Sequence, residues 1–457
     1  MLESFEAARP LLATLAGVLG LLVLILWRKV PPFPALLVAA MFTGLAAGLA
    51  PDAVLKSITD GMGGVLGFIA VIVGLGAIFG AFLEATGAAQ ALAQYMTGDR
   101  KPGAAGVAMG FVGIVIAIPV FFDVGLILLF PLVQALARKA KKPAMYFGLP
   151  LLAGLATAHA FIPPTPGPVA VAEILGAELG LVILFGLICG IPAMLIGGPV
   201  YSGWAEKKGW LVHKGFADNG LEKAMAAEPP LKVDTVLALK GIFAIMVPII
   251  LIVAAAILKV SGANLGVLGV MLSFLGHPFV ALMIACLLAY YILRPNDEKG
   301  GAHLQDTLSR AAEPTAIILL VTGAGGAFKQ VLVDTGAGAA LAEATLALDM
   351  GAITAGFILA AITRVAQGSA TVAMLTAAGL CAPIAVAAGL GPVDLALMTI
   401  AIASGASILS HVNDSGFWLV SRFFDLSTDE TLKSWTIAST LVGVTGFVIA
   451  FFLGAIF

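Results

Sequence analysis

The residues Ser410-His411-Val412-Asn413-Asp414-Ser415-Gly416-Phe417-Trp418 put an imidazole, an amide, a carboxylate and two hydroxyls close together, between the apolar runs 393–402 and 435–457. A second stretch, Ala158-His159-Ala160-Phe161-Ile162-Pro163-Pro164-Thr165-Pro166-Gly167-Pro168, is again a His followed by residues that break a helix. Two shorter interruptions are Pro119-Val120-Phe121-Phe122-Asp123-Val124-Gly125 and Arg364-Val365-Ala366-Gln367-Gly368-Ser369. Such groups are tolerated within hydrocarbon only where they face protein or a wet cavity, so they read by default as function. Their chemistry suits a small carboxylate. Arg364 supplies a counter-charge, and Gln367, Ser369, Thr371 and Asn413 supply donors and acceptors for a polyol chain. Asp123 and Asp414 are carboxylates at helix breaks, where burial and neighbours can tune a transferable proton.

The breaks themselves offer anion chemistry. A helix from 168 onward, with Pro168 in its first turn, would aim free N–H groups and its dipole into the first break. A half-helix starting at Ser415 would do the same at the second. Gly125 and Gly368 allow close backbone approach at the two hairpin tips. His411 precedes Asp414 by one helical turn and can share its proton.

These residues need a membrane-embedded scaffold, and the composition supplies one. Hydrophobic residues make up 60% of the 457-residue chain and charged residues 11%, against roughly 25% charged in soluble domains. Mean hydropathy is +1.08. The 54 glycines fit close packing of membrane helices through small residues. A net charge of −2 gives no reason to expect nucleic acid as a partner. Cys189, Cys286 and Cys381 lie far apart in apolar runs with no metal-ligand spacing. The first ten residues lack a basic signal-peptide region, so 11–27 reads as a retained span.

The chain repeats itself. Pro32-Phe33-Pro34-Ala35-Leu36 resembles Pro278-Phe279-Val280-Ala281-Leu282 at an offset of 246 (278 − 32). Gly74-Leu75-Gly76-Ala77-Ile78-Phe79 resembles Gly323-Ala324-Gly325-Gly326-Ala327-Phe328 at 249 (323 − 74), and His159 matches His411 at 252 (411 − 159). The matches divide the chain into repeats at 1–200 and 236–457, joined by a polar cytoplasmic linker at 201–235. At about 20 apolar residues per span, the first half has spans at 11–27, 33–50 and 65–83. A hairpin at 103–136, a broken span at 146–178 and a last span at 179–200 follow. The second half repeats this as 237–258, 278–293, 314–333, a hairpin at 351–381, a broken span at 393–423 and 435–457. The run 265–275 is a surface or re-entrant piece.

Lys and Arg fix the orientation. Arg28, Lys29, Arg100, Lys101, Arg138, Lys139, Lys141 and Lys142 fall on one side, with Lys207, Lys208, Lys214, Lys223, Arg294, Lys299 and Arg310. By the positive-inside rule that side is cytoplasmic. The loops 344–350 and 382–392 around the second hairpin contain no Lys or Arg, unlike their first-half equivalents. The expected fold is an all-α polytopic membrane protein of two inverted-topology repeats. Each has five spans, one broken, plus a re-entrant hairpin, and both termini are extracytoplasmic. Inverted repeats with discontinuous helices are an architecture of secondary transporters, with the site near mid-membrane.

The segments 159–168, 364–373 and 410–418 resemble those of the gluconate permease family, within a broader superfamily of anion transporters, and the resemblance covers essentially the whole chain. It implies proton-driven uptake of gluconate or a similar small hydroxy acid across a bacterial inner membrane, with no cofactor. Members of that family often carry a second His where this chain has Thr165, a departure that bears on substrate and coupling. The expected substrate-binding residues are His159, Thr165, Gly167, Arg364, Gln367, Gly368, Ser369, Thr371, His411, Asn413 and Ser415. Asp123 and Asp414 are the expected coupling groups. The partners are a small anion and the lipid bilayer; a homodimer is compatible with the sequence.

Each residue also has a structural alternative. The two histidines can be satisfied core residues, Asp414 a helix cap, and Arg364 the partner of an acidic side chain. Lys329 can snorkel from a span end. Glu84, Glu173, Asp334 and Glu343 are expected near interfaces, and Gly44/Gly48 and Gly76/Gly80 in packing. Three other functions compete. One is a sodium-coupled carboxylate transporter, with Ser369, Ser410, Asn413 and backbone carbonyls as ligands. Another is an intramembrane metalloenzyme built on His159, His411 and Asp414, although the chain has no His-Glu-x-x-His motif. A channel would need rings of repeated charge, which the sequence lacks.

Overall fold

The computed structural model describes residues 2–98, 100–211, 234–263, 265–294, 298–311, 313–336 and 351–456. Among them the fold is entirely helical. Seven helices are long and apolar enough to cross a membrane, or eight if one bent pair counts as a single span. The sequence expectations for Lys214, Lys223, Glu343, the loop 344–350 and most of the central linker lie outside the described residues.

The first half comprises α1 (Leu2–Leu22), α2 (Pro32–Ala47), α3 (Pro51–Ala85), α4 (Ala88–Thr97), the hairpin α5 (Pro102–Ala117) and α6 (Phe122–Ala140), the interrupted pair α7 (Ala144–Phe161) and α8 (Pro166–Leu175), and α9 (Leu179–Lys207). The second half comprises α10 (Thr235–Ser261), α11 (Val267–Leu275), α12 (Pro278–Leu293), α13 (Glu298–Arg310) and α14 (Glu313–Asp334). It continues with the hairpin α15 (Ala352–Gln367) and α16 (Ala370–Ala387), the interrupted pair α17 (Pro392–Gly405) and α18 (Ser415–Phe423), and α19 (Thr428–Gly454). Prolines open α2, α3, α5, α8, α12 and α17, where a missing N–H costs nothing.

Several boundaries differ from the sequence reading. The span expected at 65–83 begins at Pro51, because exposed Lys56 and Asp60 pair at one-turn spacing and extend the helix past its apolar part. The piece at 265–275 is a helix bent by 68° from α12 with no buried residue. Helix α8 starts at Pro166 rather than 168. The second break is longer than the first, covering 406–414 against 162–165.

Corresponding elements make corresponding contacts. The first hairpin arm packs on the first arm of the interrupted pair in each half, α5 on α7 and α15 on α17. Helix α2 packs on α14, and α12 on α3. At the crossing of α3 and α14, a Cβ on Gly61 or Gly326 would collide with the other's carbonyl oxygen, so these two positions let the halves meet at backbone distance. Gly44 lies against Val54 and Gly80 against the Pro119 carbonyl, which agrees with a packing role. Helix α8 is buried against α3, α14, α16 and α17. The two hairpin tips and both breaks thereby converge.

Candidate functional site

The non-helical backbone of the second break needs partners, and neighbouring elements provide them. The N–H of Leu409 donates to Thr440 Oγ1 at 3.1 Å and that of Ser410 to Ser439 Oγ at 3.4 Å, while the Thr436 hydroxyl donates to the Ser410 carbonyl. On the hairpin side, His411 Nε2 and Asn413 Nδ2 each lie 2.9 Å from the Val365 carbonyl oxygen. A carbonyl can only accept, so Nε2 carries the His411 proton. Gly368, at φ +84°, sits against the Asn413 carbonyl so closely that any Cβ would clash.

At the centre of this arrangement lies Asp414, the N-cap of α18. Its Oδ1 accepts from the Gly416 N–H at 3.0 Å, and its Oδ2 from the Ser410 hydroxyl and Arg364 Nη2. The Arg364 and Asp414 side chains are 5% and 11% exposed, which makes this a buried ion pair. Arg364 Nε and Nη1 are also buried, yet have no acceptor among the described residues. Unpartnered guanidinium donors are costly, and they mark where an anion would be received.

The pair lines a cavity of about 430 Å³, within the roughly 300–1,000 Å³ usual for small-molecule sites. One wall is polar, with Arg364, Ser369, Thr371, Asp414 and Ser415 from the second half. Ser407 and Ser439 add hydroxyls. Asp123 and His159 face it from the first half, with His159 Nδ1 buried and without a hydrogen-bond partner among the described residues. Phe121, Phe122, Trp435 and the α14 residues Ile317, Ile318 and Val321 form apolar surface. Seven of the expected site residues therefore share one cavity: Asp123, His159, Arg364, Ser369, Thr371, Asp414 and Ser415.

Six others do not line it. Thr165 donates its hydroxyl to the Ile162 carbonyl at 2.7 Å and shapes the first break. Gly167 packs against Met374, and Gly368 against Asn413. Asn413 and His411 tie the second break to α15. Gln367 has a buried Oε1 without a partner among the described residues but lies outside the cavity lining.

Two chemical expectations are corrected. The α8 N-terminus is a poor anion site, because Pro166 and Pro168 have no N–H to offer. The α18 N-terminus is occupied by the Asp414 carboxylate. His411 and Asp414 flank a single turn, closed by the Asp414 N–H on the His411 carbonyl at 2.8 Å, but their side chains have other partners, the Val365 carbonyl and Arg364. Among the described residues no cluster of three His, Cys, Asp or Glu could hold a metal ion. Away from the cavity, Lys329 is half-buried beside Glu173, whose charge acts on it, so it has an electrostatic partner inside the protein.

Sequence reasoning missed Trp435, Ser439, Phe121 and Phe122 as lining residues, and used Ser410 only as a possible sodium ligand. The spacing of Trp435, Ser439 and Val442 puts all three on one helix face, a polar-aromatic stripe visible in an otherwise apolar span.

Two solved structures share this architecture. The YdaH transporter of Alcanivorax borkumensis superposes with a TM-score of 0.61 at 13% identity, covering 92% of this chain and 97% of that one. MtrF of Neisseria gonorrhoeae gives 0.67 at 14% identity, covering 94% and 96%. Sequence relatives are nearer. The inner membrane permease YgbN of Escherichia coli (strain K12) is 38% identical over 97% of this chain and 98% of its own length. The gluconate permease of Bacillus subtilis (strain 168) is 36% identical over 96% and 97%. The Gnt-II system L-idonate transporter of E. coli (strain K12) is 35% identical over 96% and 97%. The family described as GntP family permease matches residues 9–456. With interrupted helices around a cavity and a match over nearly its whole length, the chain is a multi-pass membrane transporter that belongs to the GntP permease family.

Proposed function

We propose that the protein takes up gluconate, or a similar small sugar acid, across the cytoplasmic membrane by proton symport. The observation that carries this reading is Arg364, buried at the cavity and held by Asp414 while its Nε and Nη1 have no acceptor among the described residues. Relatives named for gluconate and L-idonate favour a sugar acid. The cavity hydroxyls of Ser369, Thr371, Ser407, Ser415 and Ser439 suit its polyol chain.

The charges suggest how coupling arises. In the empty site Arg364 and Asp414 cancel. A substrate carboxylate that binds Arg364 competes with Asp414 and leaves one uncompensated negative charge in a desolvated place, which is strongly unfavourable. A proton on Asp414 restores the balance: guanidinium against substrate, with the acid neutral. Substrate and proton thus enter together. Asp123, in the same cavity but from the other half, can deliver that proton.

The two halves move against each other as inverted repeats, with the Lys/Arg-rich ends cytoplasmic and both termini outside. Support comes from the asymmetry of Lys and Arg between equivalent loops. The Lys142–Glu206 pair, at 2.5 Å, ties α9 to the loop before α7, and the Lys259–Glu178 pair, also at 2.5 Å, ties α10 to the loop before α9. The test is uptake of labelled gluconate into vesicles under imposed pH or sodium gradients. Accumulation with an inward proton gradient alone is expected; accumulation that requires sodium would replace the proton with Na⁺.

A further inference from the structure

The mechanism above makes no use of Trp435, although it is among the least exposed residues of the cavity wall, at 4%. It lies in the stretch Leu432–Thr436, where α19 widens into a π-helical turn. Such turns place side chains out of the regular α-helical register and recur at functional sites. The indole N–H donates to Ser410 Oγ at 2.7 Å, and the Ser410 hydroxyl contacts Asp414 Oδ2, which holds Arg364. On its other side the indole packs against Phe122, with ring centroids 5.7 Å apart and planes at 33°. Phe122 opens α6 and is the chain neighbour of Asp123.

The direction of this chain of hydrogen bonds is fixed by chemistry. An indole nitrogen can only donate. Ser410 therefore accepts from Trp435, and its single hydroxyl proton goes to Asp414. Without the indole N–H, the hydroxyl is free to rotate and to accept from a protonated Asp414. With it, the indole fills one of the two acceptor positions of Ser410 and orients the hydroxyl proton toward Asp414, which favours the carboxylate over the acid. The charged and titratable groups around Asp414 are Arg364 from α15, Asp123 from α6, His159 from α7 and His411 from the break itself. Of these only Arg364 also donates to Oδ2, and a substrate carboxylate on the same guanidinium competes for its charge.

We infer that Trp435 is a positioning residue which, through Ser410, keeps Asp414 ionised and paired with Arg364 until substrate arrives, and so prevents the empty carrier from loading a proton by itself. This rests on the assignment of Asp414 as the proton site. The Phe122 contact gives the arrangement a second consequence: the first-half hairpin that carries Asp123 touches the indole directly, so movement of that hairpin acts on the hydrogen bond.

The test uses the full-length protein in proteoliposomes, with gluconate as substrate. Trp435→Phe keeps a ring against Phe122 and removes the N–H, Ser410→Ala removes the link, and the double variant combines them. In each, uptake is recorded across a pH series, together with gluconate-free proton leak. Loss of a hydrogen bond to a carboxylate should move the pH above which uptake fails upward by about one unit. The two single variants should shift alike, the double variant no further, and both should leak protons without substrate. A wild-type profile in Trp435→Phe, or a double variant that adds the two shifts, overturns the inference while leaving proton symport intact. A wild-type protein indifferent to a proton gradient removes the symport reading and this inference with it. If Trp435→Phe fails to insert, Ser410→Ala decides alone by the same shift and leak.

Discussion

Arg364 closes the last turn of one hairpin arm and Asp414 caps a half-helix of the interrupted span, and their buried ion pair joins the two polar features of the second half. The pair makes each residue costly to remove singly, at about 3–5 kcal/mol for a broken buried pair. A conservative change is therefore the informative one. Arg364→Lys keeps the charge that Asp414 needs but loses the planar fork. We expect normal insertion and an apparent affinity for substrate weakened about tenfold or more, measured by counterflow at saturating internal substrate. Wild-type affinity would confine Arg364 to a structural role.

Gly368 tests the contact between the second hairpin and the second break. At φ +84°, facing the Asn413 carbonyl, it has neither a tolerable backbone for alanine nor room for a Cβ. Gly368→Ala should cost about 1–3 kcal/mol of stability and lower transport in proportion. A thermal shift assay on detergent-solubilised protein reads the first and uptake the second. An unchanged melting temperature would mean that the tip is not held as described.

Thr165 distinguishes a shaping role from a binding one. Its hydroxyl is used on the Ile162 carbonyl, at 2.7 Å, and does not line the cavity. Thr165→Val should lower stability by about 1 kcal/mol and leave the apparent KM for substrate unchanged. A several-fold rise in KM at wild-type stability would return Thr165 to the binding site.

Topology is tested by labelling. With Cys189, Cys286 and Cys381 replaced, single cysteines at the exposed positions Lys141 and Ala388 should react from opposite sides of the membrane. Labelling from one side would remove the inverted arrangement and the orientation that follows from it.

Much of this was legible in the sequence, because a membrane interior punishes unsatisfied polar groups and so makes them conspicuous. The two breaks, the two hairpins and the Arg364–Asp123–His159–Asp414 constellation were all found as polar interruptions of apolar runs. Distances across the fold were not legible. Nothing local places His411 and Asn413 on the Val365 carbonyl rather than on a ligand, or Trp435 beside Ser410. The failure at the α8 N-terminus is different in kind. Pro166 and Pro168 are plain in the sequence, and the N–H groups that proline lacks argue on their own against an anion site there. Lys56 and Asp60 show the opposite limit, since hydropathy alone trims a helix where its charged turns begin.

The central claim is that Asp414 carries the proton that accompanies the substrate. Asp414→Asn keeps a neutral side chain of the same shape beside Arg364, and it mimics the protonated, substrate-loaded state. Counterflow, which needs binding and movement but no net proton transfer, is compared with gradient-driven uptake in the same proteoliposomes. The account predicts that Asp414→Asn retains counterflow and does not concentrate gluconate in response to an inward proton gradient. Accumulation by Asp414→Asn under that gradient would contradict it and transfer the coupling role to Asp123 or one of the histidines.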